Sequence, residues 1–168
     1  MQKSAVIFSI LAVVSLLGSA GCTKKAADAT AVSAAPKLLL ATPAPATMPE
    51  WDATRAVAGP EGVEWIIFHP GTGNPPSAGA TAEVHYAGWL WQGRKFDASV
   101  DRHQSFKFVV GKGQVIRGWD LAVADMRPGE YRRIKIPPHV AYGTKGAGAG
   151  IIPPNTTLVL DVQLLAVK

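Results

Sequence analysis

"FKFVVGKGQVIRGWDLAVADM", residues 106 to 126, changes its hydrophobic period part-way along. The first five residues alternate, setting Phe106, Phe108 and Val110 on one side as a half-buried strand does. From Val115 the spacing becomes helical: Val115, Trp119, Ala122, Val123 and Met126 form one apolar stripe, which Pro128-Gly129 stops. The stretch therefore predicts a strand and then one short helix whose stripe packs on a sheet.

The sheet is predicted on both sides of this helix. "EVHYAGWL" puts Val84, Tyr86 and Leu90 on one face and ends in a turn at Gln92-Gly93. "RIKI" sets Ile134 and Ile136 against Arg133 and Lys135, and "LVLDVQLL" aligns Leu158, Leu160, Val162 and Leu164. Half-buried alternation of this kind belongs to largely antiparallel sheets, and one helix against one such sheet makes an α+β domain. The inward aromatic positions Tyr86, Phe96, Phe106, Phe108 and Trp119 are enough for either a solid core or a lined cavity. Periodicity does not choose between them.

At 168 residues the chain allows one domain of ordinary size with a tail. Lys and Arg number 17 against 12 Asp and Glu, a net charge of +5, but the basic residues are scattered rather than striped among aromatics, which argues against nucleic-acid binding. His69, His85, His103 and His139 lie far apart, with no partner one helical turn away and no cysteine pair, so no metal site is predicted. The glycine-rich loop "AYGTKGAGAG", residues 141 to 150, is no phosphate cradle: no hydroxyl residue follows Lys145-Gly146, and Pro153-Pro154 leads into a strand rather than a helix N-terminus. Ile151 and Ile152 at its end need somewhere apolar to sit, which predicts a lid beside an apolar pocket.

Residues 1–21 read as a signal peptide, with a lysine near the start, an apolar core shorter than a membrane span and small residues ahead of the single cysteine, Cys22. "SAGC" resembles a bacterial lipoprotein signal, in which signal peptidase II cuts before a cysteine that is then acylated. Ser19 stands where such signals usually carry leucine, and Gly18-Ser19-Ala20 offers ordinary signal peptidase a site, which keeps a soluble periplasmic or secreted protein as the alternative. Residues 22–60 are rich in alanine and proline and are expected to form a tether carrying the lipidated Cys22, with "KLLL" and Trp51 as exceptions that could dock on the domain. Residues 61–168 are expected to form the domain.

"VHYAGWL", "RKFDAS", "FKFVVGKGQVIRGWD", "AYG" and "GIIPPNTTLVLDVQLL" occur in the order and at nearly the spacings of the FKBP family of peptidyl-prolyl cis-trans isomerases, which this chain resembles over its whole folded part. The resemblance implies a twisted antiparallel sheet wrapped around one short helix, with a shallow apolar pocket between them. It implies catalytic roles for Trp119 as pocket floor, Tyr86 as wall, and Asp97 and Tyr142 as polar rim. Phe96, Phe106, Val115, Ile116, Ile151 and Leu160 would bind substrate, and Arg102 would pair with Asp97. Leu160 stands where the family commonly has phenylalanine, and the loop after Tyr142 is one residue longer than in compact members and lacks their histidine.

The function expected is therefore rotation of X-Pro amides in exported proteins by desolvation, with no cofactor and no metal. The expected partners are proline-containing segments, macrolide inhibitors and a membrane reached through the lipid anchor. The alternative is a weakly catalytic proline-binding module or chaperone. Thr23 after the cysteine resembles outer-membrane sorting, so the domain is expected to face the periplasm. Infectivity-associated members carry a long dimerising helix ahead of the domain; the proline-bearing tether does not resemble one, and a monomer is expected.

Overall fold

The four strands predicted from alternation join three others in a seven-stranded antiparallel sheet in the computed structural model, which describes residues 37–168. The strands are β1 (Val57–Ala58), β2 (Glu64–His69), β3 (Thr81–Leu90), β4 (Lys95–Ala98), β5 (Phe106–Val109), β6 (Tyr131–Ile136) and β7 (Leu158–Val167). Their order is β1-β2-β6-β7-β3-β4, with β5 also pairing with β3. The signal peptide, Cys22 and the tether up to residue 36 lie outside the described residues. No described helix is long and apolar enough to cross a membrane.

The helix α1 spans Arg117–Val123, inside the predicted stripe; Val115 precedes it and Met126 follows it. Trp119, Ala122, Val123 and Met126 are buried against Val84, Tyr86, Ile134, Ile136, Leu158, Leu160, Val162 and Leu164, so the helix stripe and the inner face of the sheet make one core. The close approach depends on Gly118, where a Cβ would lie 2.4 Å from Ile136 Cγ2 and 3.1 Å from Val140 Cγ2. Gly118→Ala is expected to cost about 1–3 kcal/mol by overpacking. Urea unfolding checks this, and a stability equal to wild type would mean the helix can shift without loss.

The tether expectation is corrected for its described part. Residues 37–51 lie across the outer face of the sheet: Leu40 and Ala44 are buried against Ala87, Trp89, Ala98 and Val100. Backbone and side-chain hydrogen bonds complete the docking. Gln163 Oε1 accepts from Leu39 N at 2.7 Å, its Nε2 donates to Lys37 O at 2.6 Å, and Trp89 Nε1 donates to Pro45 O at 2.9 Å. Residues 41–47 carry no large apolar side chain, but the sheet supplies the apolar surface and polar partners that they lack alone. Of the two expected exceptions, "KLLL" docks through Leu40, and Trp51 rests edge-on against Trp91 with centroids 6.1 Å apart.

Candidate active site

Strand β3 brings Tyr86 inward and β4 brings Asp97 beside it. The register pairs Gly88 with Asp97 and Ala87 with Ala98, then shifts between Gly88 and Trp89. Ser99, fully buried, fixes this arrangement: its Oγ accepts from Tyr86 N at 2.8 Å and its N donates to Tyr86 O at 2.9 Å. Gly88 leaves room for a neighbouring wall, since a Cβ there would lie 2.6 Å from the Phe96 ring.

These elements enclose a cavity of about 180 Å³ lined by Tyr86, Phe96, Asp97, Phe106, Gln114, Val115, Ile116, Trp119, Tyr142, Leu158 and Leu160. Trp119 is its floor, packed on Tyr86 and Phe106 with ring centroids 4.9 and 5.8 Å away. The Trp119 Nε1 is buried and has no hydrogen-bond partner among the described residues. Ile116 opens the helix; its carbonyl accepts from Trp119 N at 3.0 Å and Asp120 N at 3.1 Å, which leaves its own N–H outside the helical ladder.

One wall is polar. The Tyr86 hydroxyl and the Arg102 guanidinium both donate to the Asp97 carboxylate, Arg102 also donates to the Tyr86 hydroxyl at 3.2 Å, and Ala98 N donates to Asp97 Oδ1 at 2.8 Å. Burial pushes the Asp97 carboxyl up, but the bonds from Tyr86 and Arg102 outweigh it and hold the group below its ordinary value. Burial, with Asp97 adding to it, pushes the Tyr86 phenol up to about 12. At neutral pH the rim thus holds a carboxylate and a neutral phenol. Tyr142 is 39 % exposed at the mouth; burial first and the Asp97 charge second raise its phenol, so it stays a donor.

Nine of the ten predicted site residues therefore meet around one cavity, and Ile151 does not. It sits on the flap 44 % exposed, while its neighbour Ile152 is buried in the core and pairs with Ala147. The lid of two isoleucines is corrected to one exposed isoleucine anchored by one buried. Gln114 and Leu158 are additional lining residues. Leu158 shares a face with Leu160 two positions on, a signal the strand period carries; Gln114 lies in a loop with no such pattern.

The model of the FKBP-type peptidyl-prolyl cis-trans isomerase family matches residues 73–165. This chain belongs to that family. It is an FKBP-type peptidyl-prolyl cis-trans isomerase, and all five sequence motifs fall within the matched span. It is 50% identical over 107 residues to FK506-binding protein 1 of Dictyostelium discoideum, covering 64% of this chain and 99% of that protein. It is 46% identical over 97 residues to an FK506-binding protein of Neisseria meningitidis serogroup A, covering 58% of this chain and 88% of that one. Among solved structures, the crystal structure of a peptidyl-prolyl cis-trans isomerase from Pseudomonas syringae pv. tomato matches with a TM-score of 0.62 and 37% identity, over 68% of this chain and 81% of that chain. The FKBP-like antiparallel sheet with one helix is thus found both in the structure and in its neighbours.

Proposed function

We propose that this isomerase accelerates X-Pro rotation in exported proteins by moving the prolyl amide out of water into the Trp119 cavity. The apolar cavity under a charged, hydrogen-bonded rim is the observation that carries the reading. Rotation about the amide faces a barrier of about 18–20 kcal/mol, because resonance must be lost. Resonance places charge on the carbonyl oxygen and is favoured by water, so a site lined by Trp119, Tyr86, Phe96 and Phe106 disfavours the planar form relative to the twisted one. The Tyr142 hydroxyl and the Ile116 N–H then hold flanking carbonyls. Lowering the barrier by about 6 kcal/mol corresponds to roughly 10⁴ in rate.

NMR exchange on a short X-Pro peptide tests this. Fast exchange is expected with wild type. Tyr142→Phe is expected to slow it about twofold to tenfold, the worth of one neutral hydrogen bond of about 0.5–1.5 kcal/mol at 1.36 kcal/mol per decade. An unchanged rate removes Tyr142 from the mechanism, and no acceleration by folded wild type removes the reading.

A second reading, a proline-segment binder with little turnover, is favoured by Leu160, whose side chain leaves part of the cavity wall slim. Leu160→Phe separates the two on a panel of X-Pro peptides. For the isomerase, kcat/KM shifts among the peptides; for a binder, affinity rises by roughly the worth of added apolar contact, about 1 kcal/mol, with turnover flat. The relatives named FK506-binding proteins support macrolide binding in the same cavity. The leader ending before Cys22 supports a lipid anchor, Thr23 supports outer-membrane sorting with the domain in the periplasm, and the proline-bearing tether supports a monomer.

A further inference from the structure

Asp97 stands on β4, the last strand of the sheet order, with β3 on one side only. The open edge at the start of β4 is met by residues 46 and 47. Lys95 N donates to Ala46 O at 2.8 Å, and Thr47 pairs antiparallel with Arg94. The Ala44 peptide bridges the two ends of the Asp97 segment: its N–H donates to Asp101 Oδ1 at 2.8 Å and its carbonyl accepts from Lys95 Nζ at 2.8 Å. Lys95 and Asp101 also pair with each other, with side chains only 22% and 31% exposed. Between them lies Asp97, and next to Asp101 lies Arg102. The clasp is closed by Leu40 and Ala44, buried on Ala87, Trp89, Ala98 and Val100. All of residues 40–47 precede the family match, which begins at residue 73.

We propose that residues 40–47 are a positioning strap for the isomerase site, with Asp101 as the positioning residue that ties the Ala44 peptide to the strand bearing Asp97 and the turn bearing Arg102. An edge strand with no second neighbour keeps half of its backbone groups open to water and to excursions. The strap holds Lys95 and Asp101, the residues on either side of Asp97, and so limits that freedom around the rim carboxylate. The inference rests on the reading of Asp97 as part of the catalytic rim.

The test uses the full chain in four versions: wild type, Asp101→Ala, a chain whose residues 40–46 are replaced by a Gly/Ser stretch of equal length, and Asp97→Ala. For each, kcat and KM on an X-Pro peptide are measured separately. Carbon-detected NMR titration follows the Asp97 carboxyl in the three chains that retain it. In Asp101→Ala and the strap replacement, kcat is expected to fall about threefold to tenfold with little change in KM, since small misplacement of a rim group costs rate rather than binding. The Asp97 titration moves up toward an ordinary carboxylate. Asp101→Asn, which keeps an acceptor for the Ala44 N–H, recovers part of both. Val63→Ala, a core truncation outside the cavity and the strap, lowers the melting temperature while leaving kcat and the Asp97 titration in place. Unchanged kcat and Asp97 titration in the strap variants, with Asp97→Ala impaired, would overturn the strap alone. An unimpaired Asp97→Ala would overturn the rim reading and the strap with it.

Discussion

Asp97→Ala is expected to lower kcat/KM on a short X-Pro peptide about tenfold to hundredfold while the domain stays folded. The carboxylate collects the Tyr86 hydroxyl, the Arg102 guanidinium and the Ala98 N–H, so it fixes both the wall of the cavity and the charge at its mouth. A hydrogen bond to a charged group is worth about 1.5–3 kcal/mol, which at 1.36 kcal/mol per decade is the range given. Stability changes little because the Asp97 and Arg102 side chains are 39% and 51% exposed, and water replaces what each loses. Tyr86→Phe removes the donor from the other side, and the double variant is expected to lose less than the sum of the two, since both break one network. A folded Asp97→Ala enzyme with wild-type kcat/KM would remove the rim from the mechanism.

The pH dependence follows with its sign. The folded Asp97 carboxyl lies below its ordinary value, so its contribution to stability is present above the unfolded carboxyl value of about 4 and is lost as pH falls through the folded one. Wild-type activity therefore persists through mildly acid conditions and falls only below the ordinary carboxylate range. Asp97→Ala lacks that step.

The inner half of this structure was legible because it obeys simple periods. Val84 and Tyr86, Ile134 and Ile136, and Leu158 through Leu164 alternate, and Trp119, Ala122 and Val123 keep helical spacing, so these core residues could be assigned one by one. The cavity was legible only through the resemblance, since alternation alone does not distinguish a solid core from a lined pocket. The outer face was not legible. Ala87, Trp89, Asp161 and Gln163 sit at positions the period assigns to solvent, yet they are buried, under a segment docked by Leu40, Ala44 and sheet side chains bonding to its backbone carbonyls. Composition records side chains and is blind to carbonyls such as those of Lys37, Ala44 and Pro45. The same limit hid the flap: Ile151 and Ile152 are chemically equal, and only the pairing of Ile152 with Ala147 decides which one is buried.

The outer face also holds the change with the largest expected effect on stability. Arg133 on β6 and Asp161 on β7 are register partners, each with a side chain 7% exposed. Arg133 donates through Nε to Oδ1 at 2.6 Å and through a terminal nitrogen to Oδ2 at 2.8 Å, a two-pronged pair that the Tyr131 hydroxyl joins at 2.8 Å. Burial works against the Arg133 charge, and Asp161 outweighs it, holding the guanidinium firmly protonated. Asp161→Ala takes away the countercharge and leaves the cation with Glu50 O at 2.6 Å and the Phe68 ring at 5.2 Å. An uncompensated buried charge costs about 3–5 kcal/mol, enough to lower the melting temperature of a domain this size by roughly 10 °C or more. Replacing both partners, Arg133→Met with Asp161→Leu, removes the charge along with its partner and is expected to recover most of that loss. Both side chains face away from Leu160 and the cavity, so the fraction of Asp161→Ala that remains folded keeps its kcat. A loss below about 1 kcal/mol in urea unfolding, the range of exposed pairs, would mean that water reaches Arg133 beneath residues 37–51 and that the segment covers the sheet less tightly than its hydrogen bonds imply.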